Sequence, residues 1–221
     1  MTSKTAVITG ASQGLGLALA RALALAGDGW RLVLDARNHA LLRANAPEGA
    51  VLVAGDVTDP LHREALAHAV GGDLDLLVNN ASDLGPSPMP RLQDYPLDAL
   101  RRVYEVDLLA PLALLQLLRP TTVVNVSSDA AVEAYEGWGG YGSAKAALDH
   151  LTAVYAQEQP HLRVLSFDPG DMRTAMHQAA FLGEDITDRP LPETVVPGFL
   201  RLLEQPSGRY RAADLTPLEI A

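Results

Sequence analysis

Hydrophobic and polar positions along this chain fall into two alternating rhythms. Short β-rich apolar runs occur at Thr5–Thr9, Arg31–Leu34, Ala50–Ala54, Leu74–Val78, Thr122–Val126 and Arg163–Phe167. Each is short and continuous, as strands buried on both faces are. Between them the period lengthens: Leu15, Leu19 and Leu23 recur every four residues within Leu15–Ala26, and the stretches Asp98–Leu118 and Tyr141–Glu158 are long and rich in Ala and Leu. These predict helices. Alternation of strand and helix predicts an α/β fold with right-handed crossovers, a doubly wound parallel sheet and helices on both faces, a three-layer αβα sandwich. Ligands in such folds sit beyond the carboxyl ends of the strands. The Pro/Gly-rich segments Gly85–Pro96 and Phe181–Pro197 read as loops at that edge.

A length of 221 residues with 48% hydrophobic content suits one domain over residues 1–221 with a sizeable core. Seventeen Lys and Arg against 27 Asp and Glu leave a net charge of −10, and the pI is about 4.9. That balance offers no footprint for a nucleic acid backbone or an anionic membrane. Absence of cysteine removes disulfides and thiolate metal sites and fits a reducing compartment. The first ten residues pass into a strand pattern with no charged leader, so a cytoplasmic location is expected. The apolar stretch Leu108–Leu118 is too short to span a bilayer. No spacing among the six histidines suggests a helical zinc motif, and no metal is expected.

Chemistry-bearing residues stand at the strand ends. The first strand ends in TGASQGLG, which puts Gly10, Gly14 and Gly16, with Ser12, Gln13 and Leu15, in the turn into a helix. Glycines there let backbone approach phosphate, and a helix N-terminus offers free N–H groups to a pyrophosphate. The position after the first strand points to a Rossmann-like dinucleotide site. In LVLDARN, at the end of the second strand, two residues compete. Asp35 would accept from the ribose 2'-hydroxyl of NAD, whereas Arg37 would pair with the 2'-phosphate of NADP; Arg37 is the preferred reading. GDVTD brings Asp56 and Val57 to the adenine, and NNAS brings Asn79, Asn80 and Ala81 to the ribose and the sheet centre. NVSSDAA puts Ser128 at a strand tip where it can face Tyr141. DPGDMRT makes Pro169, Gly170 and Thr174 available to a nicotinamide carboxamide. Tyr141 and Lys145, in YGSAK, share one helix face although the chain has only two lysines.

In these motifs the sequence resembles the short-chain dehydrogenase/reductase family in its compact single-domain form, from Thr5 to about Thr174. The motifs are TGxxxGxG at Thr9–Gly16, NNA at Asn79–Ala81, Ser128, YxxxK at Tyr141–Lys145 and PGxxxT at Pro169–Thr174. The resemblance implies reversible hydride transfer between a nicotinamide cofactor and a carbonyl or alcohol carbon. In the family's pattern a basic residue at Arg37 marks NADP(H) and an acidic one at Ala36 marks NAD(H). Asp35 falls one place early, so NADP(H) is preferred and NAD(H) remains possible.

The same resemblance makes Tyr141 the acid/base, with Lys145 lowering the phenol's pKa from about 10 and holding the nicotinamide ribose, and Ser128 bonding the substrate oxygen. Two positions depart from the pattern. Asp107 stands where an Asn usually joins a proton relay, and is expected to retune catalysis; Ser82 replaces the glycine of NNAG. Substrate contacts are expected from Ser82, Tyr135, Trp138 and Met172, with the segment Asp171–Pro192 closing over an apolar carbonyl or alcohol substrate as a lid. A homodimer or homotetramer through Asp98–Leu118 and Tyr141–Glu158 is expected. The alternatives are a non-catalytic dinucleotide-binding regulator or scaffold, and a sugar-nucleotide epimerase; the latter needs a larger C-terminal domain than this chain has room for after Thr174.

Overall fold

Each apolar run finds its place in one sheet, because a run without polar alternation must be covered on both faces. The computed structural model describes residues 4–27 and 29–215, and the ends of the expected 1–221 domain lie outside these. In chain order the elements are β1 (Thr5–Ile8), α1 (Gly14–Leu25), β2 (Arg31–Ala36), α2 (His39–Asn45), β3 (Val51–Ala54), α3 (Pro60–Val70) and β4 (Leu76–Asn79). There follow α4 (Leu97–Tyr104), α5 (Ala110–Leu118), β5 (Thr122–Val126), α6 (Gly139–Glu158), β6 (Arg163–Asp168), α7 (Ala175–Ala180), α8 (Val196–Leu202), β7 (Gly208–Arg211) and α9 (Ala212–Leu215). The strands pair in parallel in the order β3-β2-β1-β4-β5-β6-β7. The order reverses between β1 and β4, which opens a crevice at their carboxyl ends.

Neighbouring residues on a strand face opposite layers. Ile8, Leu34, Val78 and Phe167 pack beneath Leu19 and Leu23 of α1 and Phe199 and Leu202 of α8. Val7, Val33, Leu77 and Val123 pack against Leu66 and Val70 of α3 and Leu114, Leu115 and Leu118 of α5. A buried polar chain crosses the second layer: Asn79 Nδ2 donates to Asn125 Oδ1 at 2.7 Å, and Asn125 Nδ2 donates to Thr152 Oγ1 at 2.8 Å. It ties β4, β5 and α6 together, although Asn79 Oδ1 stays buried without a hydrogen-bond partner.

Three features differ from the sequence expectation. The run expected as one helix over 98–118 is interrupted by a π-helical turn, Glu105–Leu109. Pro111 has no N–H to give the Asp107 carbonyl, and Ala110 N–H reaches the Glu105 carbonyl five residues back. The turn buries the side chains of Val106 and Asp107. The expected loop Phe181–Pro197 ends in a 3₁₀ turn, Pro192–Val195, and the start of α8, where Pro197 occupies a first-turn position that tolerates it. The seventh strand, GRYR, has no apolar run; it pairs β6 at the sheet edge, with Tyr210 opposite Phe167.

Candidate active site

The glycine turn is built by close backbone approach. Gly14 sits at φ +57°, a left-handed geometry that side chains strain. A Cβ on Gly16 would stand 2.5 Å from both the Gly10 carbonyl oxygen and Asn80 Nδ2. Asn80 ties the turn to the end of β4: its Nδ2 donates to the carbonyls of Thr9 at 2.8 Å and Gly10 at 3.2 Å. Thr9 Oγ1 accepts from the amides of Asn80 and Ala81 at 3.0 and 2.9 Å. Gln13, at the N-cap of α1, makes no side-chain capping bond, so the first amides and the positive end of α1 remain available to an anion.

Asp35 and Arg37 behave differently at the end of β2. Asp35 is buried, with Oδ1 2.6 Å from Nε2 of buried His62 on α3 and Oδ2 accepting the Gly10 N–H at 3.4 Å. Burial pushes its carboxyl above the ordinary range, against the lowering pull of His62. Arg37 is exposed at the rim of the cleft. Farther along that wall, Asp56 Oδ2 pairs with Arg102 Nη2 of α4 at 2.6 Å. Burial alone would raise the Asp56 carboxyl, but the Thr58 amide, Arg102 and the Thr58 hydroxyl hold it down at about 2.

At the other end of the cleft, side chains from the ends of β4 and β5 and from the π-helical turn converge on α6. Tyr141 and Lys145 stand on successive turns, with Lys145 Nζ 5.5 Å from the centroid of the Tyr141 ring. Ser82 and Ser128 line the same end of the cleft as Tyr141, and both hydroxyls act to lower its phenol pKa. Ser128 also caps the short turn Asp129–Ala131, its Oγ accepting from Ala130 N–H at 3.2 Å. Lys145 is 2% exposed and donates to the Val126 carbonyl at 2.9 Å. Its Nζ lies 3.0 Å from Oδ1 of Asp107, which has no exposed surface. The Ser82 hydroxyl donates to the same Oδ1, and Asp83 N–H donates to Oδ2 at 3.1 Å.

Lys145 pulls the Tyr141 phenol down, in the expected direction, but burial outweighs that pull. Burial pushes the Tyr141 phenol above its ordinary value; Lys145 pulls it down, Asp107 pushes it up, and the two serine hydroxyls lower it without reversing the result. The physical reason is burial, which disfavours the phenolate more than the Lys145 ammonium favours it, with the Asp107 carboxylate adding to the rise. Burial opposes the Lys145 charge, yet Asp107 and Tyr141 hold its pKa above the ordinary lysine value, so it stays an ammonium. Burial likewise raises the Asp107 carboxyl, against the pull of Lys145, Ser82 and Asp83 N–H.

Between the two ends the cleft encloses about 940 Å³. Gly10, Ser12, Gln13, Gly14, Leu15, Arg37, Asp56, Val57, Asn80 and Ala81 line one part of it, and Ser82, Ser128, Trp138, Tyr141, Lys145, Pro169, Gly170, Met172 and Thr174 the other. Four candidates lie off its wall. Asn79 is buried and donates to Asn125, Gly16 packs behind the turn, Asp107 sits beneath Lys145, and Tyr135 is exposed with its hydroxyl donating to Asp129 Oδ2 at 3.0 Å. Trp138 stands edge-on to Tyr141 at 5.9 Å and tilts against Phe181 at 6.1 Å, an aromatic wall beside the phenol. Thr174 Oγ1 accepts from His177 N–H at 3.1 Å and so caps α7, which begins the segment expected as a lid. Among the described residues no group of three or more His, Asp or Glu side chains gathers to hold a metal ion.

Sequence reasoning missed His62, Arg102 and Arg209. Arg209, on β7, donates from Nη2 to the Ser128 carbonyl at 3.0 Å and from Nε to Asp149 Oδ2 at 2.8 Å, bracing the serine loop. Each partner is 27 or more residues away in sequence, so no local spacing could have announced it.

A sequence model of the family described as short chain dehydrogenase matches residues 4–185. Sepiapterin reductase of Mus musculus is 36% identical over 199 residues, covering 79% of this chain and 76% of that protein. A benzil reductase ((S)-benzoin forming) of Saccharomyces cerevisiae is 30% identical over 231 residues, covering 96% and 84%. An alcohol dehydrogenase of the archaeon Thermococcus sibiricus, solved in complex with 5-hydroxy-NADP, is 28% identical with a TM-score of 0.80 over 95% of this chain and 96% of that one. With the glycine turn fixed to β4 and a serine, a tyrosine and a lysine gathered at the far end of one cleft, these matches establish that the chain belongs to the short-chain dehydrogenase/reductase family of oxidoreductases.

Proposed function

We propose that this oxidoreductase uses NADP(H) to interconvert a ketone or aldehyde and its alcohol, with Tyr141 as general acid/base. The observation that carries this reading is the gathering of Tyr141, Ser128, Ser82 and Lys145 on the wall of one cleft, with Lys145 Nζ 5.5 Å from the centroid of the Tyr141 ring. They lie at one end of a cleft whose other end is an uncapped helix N-terminus.

The residues present fit a dinucleotide. The amides of Gly14 and Leu15, with Ser12 and Gln13, suit the pyrophosphate side; Asp56 and Val57 suit the adenine, and Asn80 and Ala81 the ribose at the sheet centre. Arg37 is free for a 2'-phosphate while Asp35 is engaged by His62, an arrangement that favours NADP(H). The NADP analogue in the Thermococcus sibiricus relative supports the same choice. Pro169, Gly170 and Thr174 flank the place expected for a carboxamide. When bound, the nicotinamide supplies or accepts the hydride.

This chain's own residues handle the oxygen and its proton. Ser128 orients the substrate oxygen, and Tyr141 gives it a proton in reduction or removes one in oxidation. Lys145 offers its ammonium to the phenolate and to the ribose hydroxyls. Trp138, Met172, Met176 and Leu84 present an apolar wall, which suits a carbonyl flanked by aryl or alkyl groups. The mouse and yeast relatives are named as reductases of sepiapterin and benzil, and support that class. Exposed Leu109, Leu117 and Val154 suit self-association of this chain as a dimer or tetramer.

The test is reduction of a panel of aryl and alkyl ketones, vicinal diketones included, with NADPH and NADH separately. Turnover is expected with NADPH at least about 10-fold above NADH, and Tyr141→Phe is expected to lower kcat by about 10³-fold while nucleotide Kd changes less than about 3-fold. Undiminished turnover by Tyr141→Phe would eliminate the proposed acid, and a preference for NADH would eliminate the role given to Arg37.

A further inference from the structure

The hydroxyl of Ser128 is already engaged on both sides. Its Oγ donates to Asp129 Oδ1 at 3.0 Å and accepts the Ala130 N–H at 3.2 Å. The proton in the first contact belongs to Ser128, because an ionised carboxylate has none to give. A serine hydroxyl has one proton and two lone pairs, so a single lone pair is left for whatever enters the cleft. A carbonyl oxygen has no proton to offer a lone pair. To hold one, the Ser128 proton must leave Asp129.

The surroundings confine that exchange to the hydroxyl itself. The Ser128 carbonyl accepts from Arg209 Nη2 at 3.0 Å and from Ala131 N–H at 3.2 Å, and the Asp129 carbonyl accepts from the Val132 and Glu133 amides at 2.9 and 2.8 Å. The backbone of this turn is therefore held. The carboxylate is held as well: Asp129 Oδ2 accepts from the Tyr135 hydroxyl at 3.0 Å, and the Tyr135 ring stands edge-on to Trp138 with centroids 6.4 Å apart. Ser128 and Asp129 are both half-buried and line the cleft. A fixed anionic acceptor thus stands beside the one atom expected to grip the substrate oxygen.

We infer that Asp129 determines which carbonyl compounds the site accepts, by competing with the substrate oxygen for the Ser128 proton and yielding it to a substrate that brings a donor of its own on the carbon next to the carbonyl. The inference rests on the reading of Ser128 above as the group that orients the substrate oxygen. A plain ketone takes the Ser128 proton and gives Asp129 Oδ1 nothing in return, so a charge-assisted hydrogen bond is lost on binding. A ketone with a neighbouring hydroxyl or ammonium replaces that bond. Its carbonyl oxygen takes the Ser128 proton while the neighbouring group donates to Asp129 Oδ1. The spacing suits this pairing: the two oxygens of an α-hydroxy ketone, when its hydroxyl lies on the carbonyl's side, are about one hydrogen-bond length apart, as Ser128 Oγ and Asp129 Oδ1 are at 3.0 Å. A site whose polar groups are arranged to bond a substrate donor discriminates against the analogue that lacks it.

The experiment measures kcat/KM with NADPH for propiophenone and for its α-hydroxy counterpart in the unaltered protein, Asp129→Ala and Asp129→Asn. The preference is compared between proteins, so the intrinsic reactivities of the two ketones cancel. Asp129→Ala is expected to raise kcat/KM for propiophenone about 3- to 10-fold, because the Ser128 proton is released, and to shrink the preference for the hydroxy ketone by at least about 10-fold. Asparagine keeps a neutral oxygen acceptor and should fall between the two. In a Ser128→Ala background, Asp129→Ala should give no gain with propiophenone, since no Ser128 proton is left to compete for. An equal loss with both ketones in Asp129→Ala, a preference within about 2-fold of the unaltered protein's, or a gain that persists without Ser128 would each overturn the inference. Calorimetric binding of the two ketones to Tyr141→Phe protein in the presence of oxidised NADP gives a readout without turnover. Tighter binding of the hydroxy ketone that disappears when Asp129→Ala is added upholds the role of Asp129 even if the unaltered protein reduces neither ketone, in which case it is the oxidoreductase reading that fails. Failure to bind the hydroxy ketone more tightly than propiophenone overturns the role of Asp129.

Discussion

The two ends of the cleft are made in different ways. The end proposed for the nucleotide is backbone: a turn between consecutive elements, held by glycine geometry and by short polar ties from Asn80 and Thr9. The end proposed as catalytic is side chain: Tyr141 and Lys145 from α6, Ser128 after β5, Ser82 after β4 and Asp107 from the π-helical turn. In the first, a substitution acts by volume and leaves few charges stranded. In the second, each group is compensated by another, so removing one alters the charge state of the rest. A backbone site tolerates its surroundings, whereas a buried charge cluster depends on every member.

The sharpest way to break this contrast is Asp107→Leu. It strands the Lys145 ammonium in a buried site, and a loss of about 3–5 kcal/mol in urea unfolding is expected. A loss below about 1 kcal/mol would show that Lys145 has another neutralising partner. Next is Gly16→Ala at the opposite end. Alanine normally favours a helix by about 1 kcal/mol over glycine, but here its Cβ would meet the Gly10 carbonyl and Asn80 Nδ2 at 2.5 Å. Overpacking should reverse the sign, costing about 1–3 kcal/mol and weakening nucleotide binding; a stabilised variant in thermal unfolding would refute the close approach.

The smallest effect is expected from Arg102→Met. Asp56 is held at about 2, below the ordinary 3.8, so its contribution to stability is present above about pH 4 and is lost as pH falls through about 2. Without Arg102 the carboxyl moves back up and the loss begins at higher pH. Because Asp56 is partly exposed, the difference at neutral pH should stay within about 0.5 kcal/mol. Coincident acid-unfolding curves for the two proteins would remove Arg102 from that balance.

The same contrast explains how much could be read in advance. Six strands, the helices between them and the glycine turn are announced by local rhythm, since period and turn chemistry act over a few residues. The edge strand Gly208–Arg211 escaped because it is polar and takes its conformation from β6. The motif residues Ser128, Tyr141 and Lys145 were legible as candidates. Their charge balance was not, because it depends on Asp107 folding beneath Lys145.

By itself the amino-acid order determined the α/β alternation, the placing of polar and small residues at strand ends, and the family to which the chain belongs. Only tertiary structure decided that Asp35 is engaged by His62, that Ser82 reaches Asp107, and that Lys145 is paired. Periodicity and turn propensities are set by neighbours along the chain. Burial and pairing of charges are set by groups dozens of residues apart that meet only when the sheet and its helices close on one another.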